Sequence, residues 1–203
     1  MKNLNVFLAL FFLIVVKGYN QENNSNPELR LSFITGNLAS ISQTFELAKF
    51  GASRTSLISG YDLKMIIPTK RENLQWLLGT FFQEGQDGSI ALSYPSQHDE
   101  SKTLGGAIYF GPQLSTNLKY VNFSAYISAG IFSFSDEVTV AKDYEIIYHS
   151  GSHFTAPGIK SGLALSFCYK RLSLTGGYQI SMTSAQNSTI AYQGIEFGVG
   201  VKF

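Results

Sequence analysis

The final ten residues alternate without a fault: Gly194-Ile195-Glu196-Phe197-Gly198-Val199-Gly200-Val201-Lys202-Phe203. Every odd position from Ile195 to Phe203 is large and apolar, and every even position is glycine or charged. Wound as a helix, these apolar residues would scatter round the axis. Extended as a strand, they line one face and leave the other polar. Any fold of this chain must cover that apolar face.

The same period of two recurs upstream. It predicts eight strands, near residues 28–42, 55–67, 74–84, 102–114, 121–134, 159–169, 172–182 and 192–203. Leu57, Tyr61, Leu63, Met65 and Ile67 oppose Gly60, Asp62 and Lys64. Leu104, Ile108 and Phe110 oppose Tyr109 and Gln113. Leu163, Leu165, Phe167 and Tyr169 oppose Lys160, Gly162, Ser166 and Cys168. Alternation weakens over residues 36–42, where a bulge is expected. No stretch after residue 18 has helical periodicity, so the expected class is all-β.

The predicted connections also alternate in length. Residues 68–73, 115–120 and the pair Lys170-Arg171 are short. Residues 43–54, 85–101, 135–157 and 183–191 are longer and mostly polar. Charged residues make up only 14% of the chain, against about 25% in typical globular proteins. Aromatics reach the same 14%, and there are 19 glycines. Few charges, many aromatics and many small residues suit a wall facing lipid. The single cysteine, Cys168, excludes an internal disulfide.

This pattern, together with the closing Gly-Ile-Glu-Phe-Gly-Val-Gly-Val-Lys-Phe, resembles the small eight-stranded bacterial outer-membrane barrels, the OmpA/OmpX-like or "porin family" group. The resemblance implies an antiparallel up-and-down transmembrane β-barrel over residues 28–203, with short periplasmic turns and long outer loops. It implies outer-membrane lipid and the barrel-assembly machinery of a Gram-negative cell envelope as partners. Phe197, Val199, Val201 and Phe203 would form the C-terminal assembly signal. It implies no cofactor.

The N-terminus is consistent with that destination. Lys2 precedes an apolar run over residues 6–16, then Lys17-Gly18 and a polar, Asn-rich segment. Residues 1–18 read as a cleaved signal peptide and 19–27 as a flexible leader. The apolar run is shorter than the roughly 20 residues a membrane-spanning helix needs. Cleavage would remove Lys2 and Lys17 with no acid, taking the formal charge from +1 to −1. A chain so nearly neutral has no electrostatic footprint for nucleic acid.

In the predicted register Arg30, Asp62, Lys64, Lys160, Glu196 and Lys202 share the polar face. A charge at the lipid midplane costs about 2–4 kcal/mol, so these six are expected inside as a lumen network. Such a network either plugs the barrel or provides a gated ion path or a small-ligand site. Eight strands enclose an interior just filled by side chains, whereas diffusion pores need about 16. Trp76, Tyr169 and Phe203 at one end, and Phe132 and Phe134 at the other, are candidate interface aromatics.

Residues 135–157 hold the densest local chemistry, with His149, Ser150, Ser152 and His153 near Asp143 and Glu145. An i, i+4 histidine pair converges on a metal only on a helix, and no helical pattern is present here. A Ser/His arrangement of a lipid-modifying enzyme is conceivable, but the surrounding motifs of such enzymes are missing. The favoured expectation is a non-enzymatic barrel with a structural or surface-interaction role, any extracellular ligand being held by the loops. The alternatives are an outer-membrane lipid-modifying enzyme, a narrow channel and a soluble lipocalin-like carrier.

Overall fold

The computed structural model describes residues 26–203 except 41–52, 72, 87–88, 92–96, 117, 119, 143–144 and 186–187. The expected signal peptide and nearly all of the leader lie outside the described residues. The strands are β1 (Glu28–Ser40), β2 (Ser53–Pro68), β3 (Leu74–Gln86), β4 (Ser89–Ala91), β5 (Gln97–Ser115), β6 (Val121–Lys142), β7 (Glu145–Tyr169), β8 (Leu172–Ala185) and β9 (Ser188–Lys202). Eight of them close an antiparallel barrel in sequence order, with β9 returning to pair with β1. The three-residue β4 stands outside the barrel and pairs with the start of β2.

Followed from partner to partner, Arg30 leads to Lys64, Gly79, Tyr109, Gly130, Gly158, Thr183 and Ile190. Ile190 pairs with Ser40, ten residues beyond the start. That offset tilts the strands and closes the barrel. Closure leaves no edge at the barrel wall, so wall backbone groups pair without water.

The outward positions carry the apolar residues of the alternation. Leu31, Phe33, Ile108, Phe110, Ile127, Leu163, Leu174, Phe197 and Val199 are all exposed. Trp76, Tyr169 and Phe203 are exposed as expected, and Trp76 stacks on Phe110 at 4.9 Å. Phe132 and Phe134 are not interface residues. Both have even parity on β6 and are buried inside. The apolar aromatics at this end of β6 fill space rather than meet an interface.

Two further expectations change. The register of β1 runs unbroken through residues 36–40 against β9, so β1 has no bulge there. The ladder irregularity falls instead at Val140/Ala141 in β6. Residues 135–157, expected as a loop, continue β6 and β7 as a paired hairpin as far as Lys142↔Glu145. Thr139, Val140, Ile146, Ile147 and Tyr148 are strand formers, and the polar residues among them look loop-like only when read without their partner strand.

At the opposite end the turns are tight. Lys170 adopts φ 53°, the left-handed conformation that lets two residues connect β7 and β8. In the β2–β3 turn, Thr69 Oγ1 accepts from the Arg71 N–H at 3.1 Å and donates to the Leu74 carbonyl at 2.6 Å.

Candidate functional site

The barrel wall surrounds the lumen, whose described contents form three layers. Nearest the termini, Arg30 donates to Glu28 Oε1 through Nη2 at 2.8 Å and Nε at 3.1 Å, and the Ser173 hydroxyl donates to the same oxygen at 2.6 Å. Gln113 donates to Gln75 at 2.9 Å, and Ser166 bonds Thr175 at 2.8 Å.

The middle layer holds four charges with almost no exposure: Asp62, Lys64, Lys160 and Glu196. Lys160 Nζ lies 2.6 Å from Asp62 Oδ2, and Lys64 Nζ lies 3.5 Å from the same oxygen. Lys64 also pairs closely with Glu196. The Tyr109 hydroxyl donates to Asp62 Oδ1 at 2.6 Å, and Tyr126 donates to Gln179 at 3.3 Å. The two ammonium groups also sit over aromatic rings. Lys160 lies 4.5 Å from the Phe81 centroid and 4.6 Å from that of Tyr109, and Lys64 lies 4.8 Å from that of Tyr126. Two cations meet two anions, so the layer is neutral overall. Each charge replaces lost hydration with a counter-ion and oriented dipoles, which deep burial requires.

The third layer, towards the long hairpins, is largely apolar, with Gln83 and Thr183 among its rings. Ile34, Ile58, Phe81, Ala107, Phe132, Phe134 and Ile190 pack there with Tyr192. Several large inward rings lie over inward glycines on the neighbouring strand. A Cβ on Gly162 would stand 2.7 Å from the Tyr126 ring, and one on Gly158 would stand 2.7 Å from the Phe132 ring. Tyr109 lies over Gly79 and Phe134 over Gly105 in the same way. Each missing side chain is the space that a ring occupies, so the narrow interior reaches close packing.

Of the six residues expected inside, Asp62, Lys64, Lys160 and Glu196 come together in the middle layer. Arg30 sits apart with Glu28, its own i−2 neighbour. Lys202 faces the end that carries the termini, its Nζ 4.0 Å from Cys168 Sγ, and joins no ion pair among the described residues. Sequence reading missed Glu28. Its signal in the sequence is an acid two residues from Arg30 on the same strand face, at the position where the strand begins. It also missed that Tyr109 and Tyr126 bond the charges, which depends on cross-barrel distances.

His149 and His153 do not converge. Both are exposed on β7, four residues apart in an extended chain, so about 13 Å separates them at about 3.3 Å per residue. His149 Nδ1 lies instead 3.0 Å from the Thr139 hydroxyl. That spacing prevents the pair from holding one metal ion.

No protein-family model matches the chain, and no curated protein matches its sequence. Solved structures do match. The crystal structure of Ail, the attachment invasion locus protein of Yersinia pestis, in complex with the heparin analogue sucrose octasulfate, superposes with a TM-score of 0.53 at 10% identity. The match covers 89% of this chain and 100% of that one. Neisserial surface protein A superposes with a TM-score of 0.50 at 14% identity, over 90% of this chain and 100% of its own. The fold is that of a small outer-membrane β-barrel. In this fold the outward apolar belt faces lipid, and the polar lumen residues alternate with it along every strand.

Proposed function

We propose that the protein resides in the bacterial outer membrane as a non-enzymatic barrel, closed to steady ion flow, that meets a partner at the cell surface. The observation that carries this reading is a three-stranded blade rising beyond the apolar belt. On β6 the outward series Phe123, Ile127, Ile131 gives way to Ser133 and Ser135. On β7 Ile159 gives way to Thr155 and His153. The ladder nevertheless continues, β5 pairing with β6 as far as Gln97↔Lys142 and β6 with β7 as far as Lys142↔Glu145. In the described ladders, residues 145–157 of β7 pair with β6 and not with β8, whose pairing starts at Gly158. A paired ladder that continues past the apolar belt offers a partner a surface at lower entropic cost to binding than a loop would.

The charge of the blade bears on the class of partner. Residues 97–102 and 133–155 contain Asp99, Glu100, Asp136, Glu137, Asp143 and Glu145 against Lys102 and Lys142. This acidic excess in the sequence suits a cationic partner, unlike the polysulfated sugar bound in the Ail structure. The test compares the intact protein with a variant lacking residues 137–151 on an immobilised cationic peptide and on heparin resin. The intact protein alone should be retained on the peptide, and neither on heparin. Retention on heparin, or equal retention of both proteins on the peptide, refutes the reading. In planar bilayers the intact protein should give no steady single-channel current, because paired charges and packed rings fill the lumen.

A further inference from the structure

The end of the barrel where β1 begins and β9 ends is hollowed into a cup of about 480 Å³. One inward position deeper on β2 and β6 stand Lys64 and Tyr126, 3.5 Å apart, which close its floor. Among the described residues, the cup opens towards the short turns.

Its charge is lopsided. Arg30, Lys70, Lys170, Arg171 and Lys202 line it, against the single acid Glu28. Glu28 is already engaged, its Oε1 taking both Arg30 contacts and the Ser173 hydroxyl. Among the described residues, none of the other four cations lies within ion-pair distance of a carboxylate. Lys202 is turned to the cup interior, as its 4.0 Å approach to Cys168 Sγ shows. Ser124 also lines the cup, with its hydroxyl buried and without a partner. The middle layer of the same lumen balances its charges two against two, so this excess is local.

Lys170 already lies over the Tyr169 ring, 5.4 Å from its centroid, which leaves Lys70, Arg171 and Lys202 without a carboxylate partner among the described residues. Gathered round one concavity, these cations raise its potential and repel one another, and a multiply charged anion relieves both effects. A single carboxylate would leave most of the excess in place. Arg and Lys together suit phosphate oxygens, the guanidinium as a fork and the ammonium as a point charge. The volume lies within the range of small-molecule sites, about 300–1,000 Å³.

We propose that this cup binds a phosphate group carrying at least two negative charges, supplied either by a free phosphorylated solute or by the headgroup of a lipid in the facing leaflet. The site lies at the opposite end of the barrel from the acidic blade and does not depend on the surface-contact reading.

The test uses the chain refolded in a non-ionic detergent and titrated calorimetrically with pyrophosphate at constant ionic strength. Saturable one-to-one binding is expected. Lys202→Ala combined with Arg171→Ala should weaken it at least tenfold. Lys70→Ala, a change in an exposed turn, should weaken it severalfold and guards against misfolding of the double variant. Lys102→Ala, on the far side of the belt, should leave it unchanged. Repeating the titration in phosphatidylcholine nanodiscs with and without phosphatidic acid separates the two sources. Loss of pyrophosphate binding when phosphatidic acid is present identifies a lipid headgroup, and unchanged binding identifies a free solute. If pyrophosphate gives no saturable heat, or the double and Lys70→Ala variants both bind like the parent, the proposal is wrong.

Discussion

Asp62 is the residue on which the interior depends most. Its two carboxylate oxygens receive Lys160, Lys64 and the Tyr109 hydroxyl. Asp62→Ala leaves Lys160 buried without a counter-ion, and breaking such a pair costs about 3–5 kcal/mol. Lys160→Met should cost less, because Asp62 keeps Lys64 and Tyr109. Replacing both, by Asp62→Leu with Lys160→Met, should recover most of the loss, since an apolar filling of similar volume is often neutral or stabilising. Denaturant titration in detergent micelles reads all three, and equal losses for Asp62→Ala and the double variant would contradict the pairing. Glycine has the complementary role. Gly162→Val puts branches where the Tyr126 ring lies and should destabilise by about 1–3 kcal/mol, as overpacking does. Adding Tyr126→Ala should return part of that stability despite removing a contact.

At the level of elements, each strand divides into a lipid-facing series and a lumen-facing series, and β6 and β7 add a segment in water. Leu163 stands in the outward series of β7, well exposed and among apolar neighbours. Leu163→Arg should cost about 2–4 kcal/mol near the midplane, whereas Glu137→Arg, beyond the belt, should change stability by less than about 0.5 kcal/mol. Similar losses for both would place the belt wrongly. The alternation that reveals the outward series runs through Ile159 and Leu163 and changes parity above Pro157, where Phe154, Tyr148 and Ile146 take the even positions. With Thr155, His153 and His149 at the odd positions the lipid-facing series has ended, so the blade reads as a loop until its partner strand is known.

The whole molecule depends on one long-range junction, β1 against β9, between segments at opposite ends of the chain. The other barrel pairings join sequence neighbours, apart from β4 intervening before β5. At that junction a Cβ on Gly36 would strike the backbone of Gln193 and Gly194. Gly36→Leu should therefore leave the hairpins able to form while blocking closure. The gel band that shifts on heating, present for the parent, should be lost from the variant. Residues 195–203 are sufficient to announce a strand with one apolar side, and eight such segments with alternating connection lengths announce a barrel and its lumen-facing charges. That much is local, because strand parity needs no knowledge of the partner. The ten-residue offset, the convergence of Asp62, Lys64, Lys160 and Glu196 in one layer while Arg30 and Lys202 stay below, and the inward seat of Phe132 and Phe134 are of another kind. They depend on how far each strand slides past its neighbour, and that slide is tied to rings seating over glycines of the neighbouring strand, which no single segment encodes.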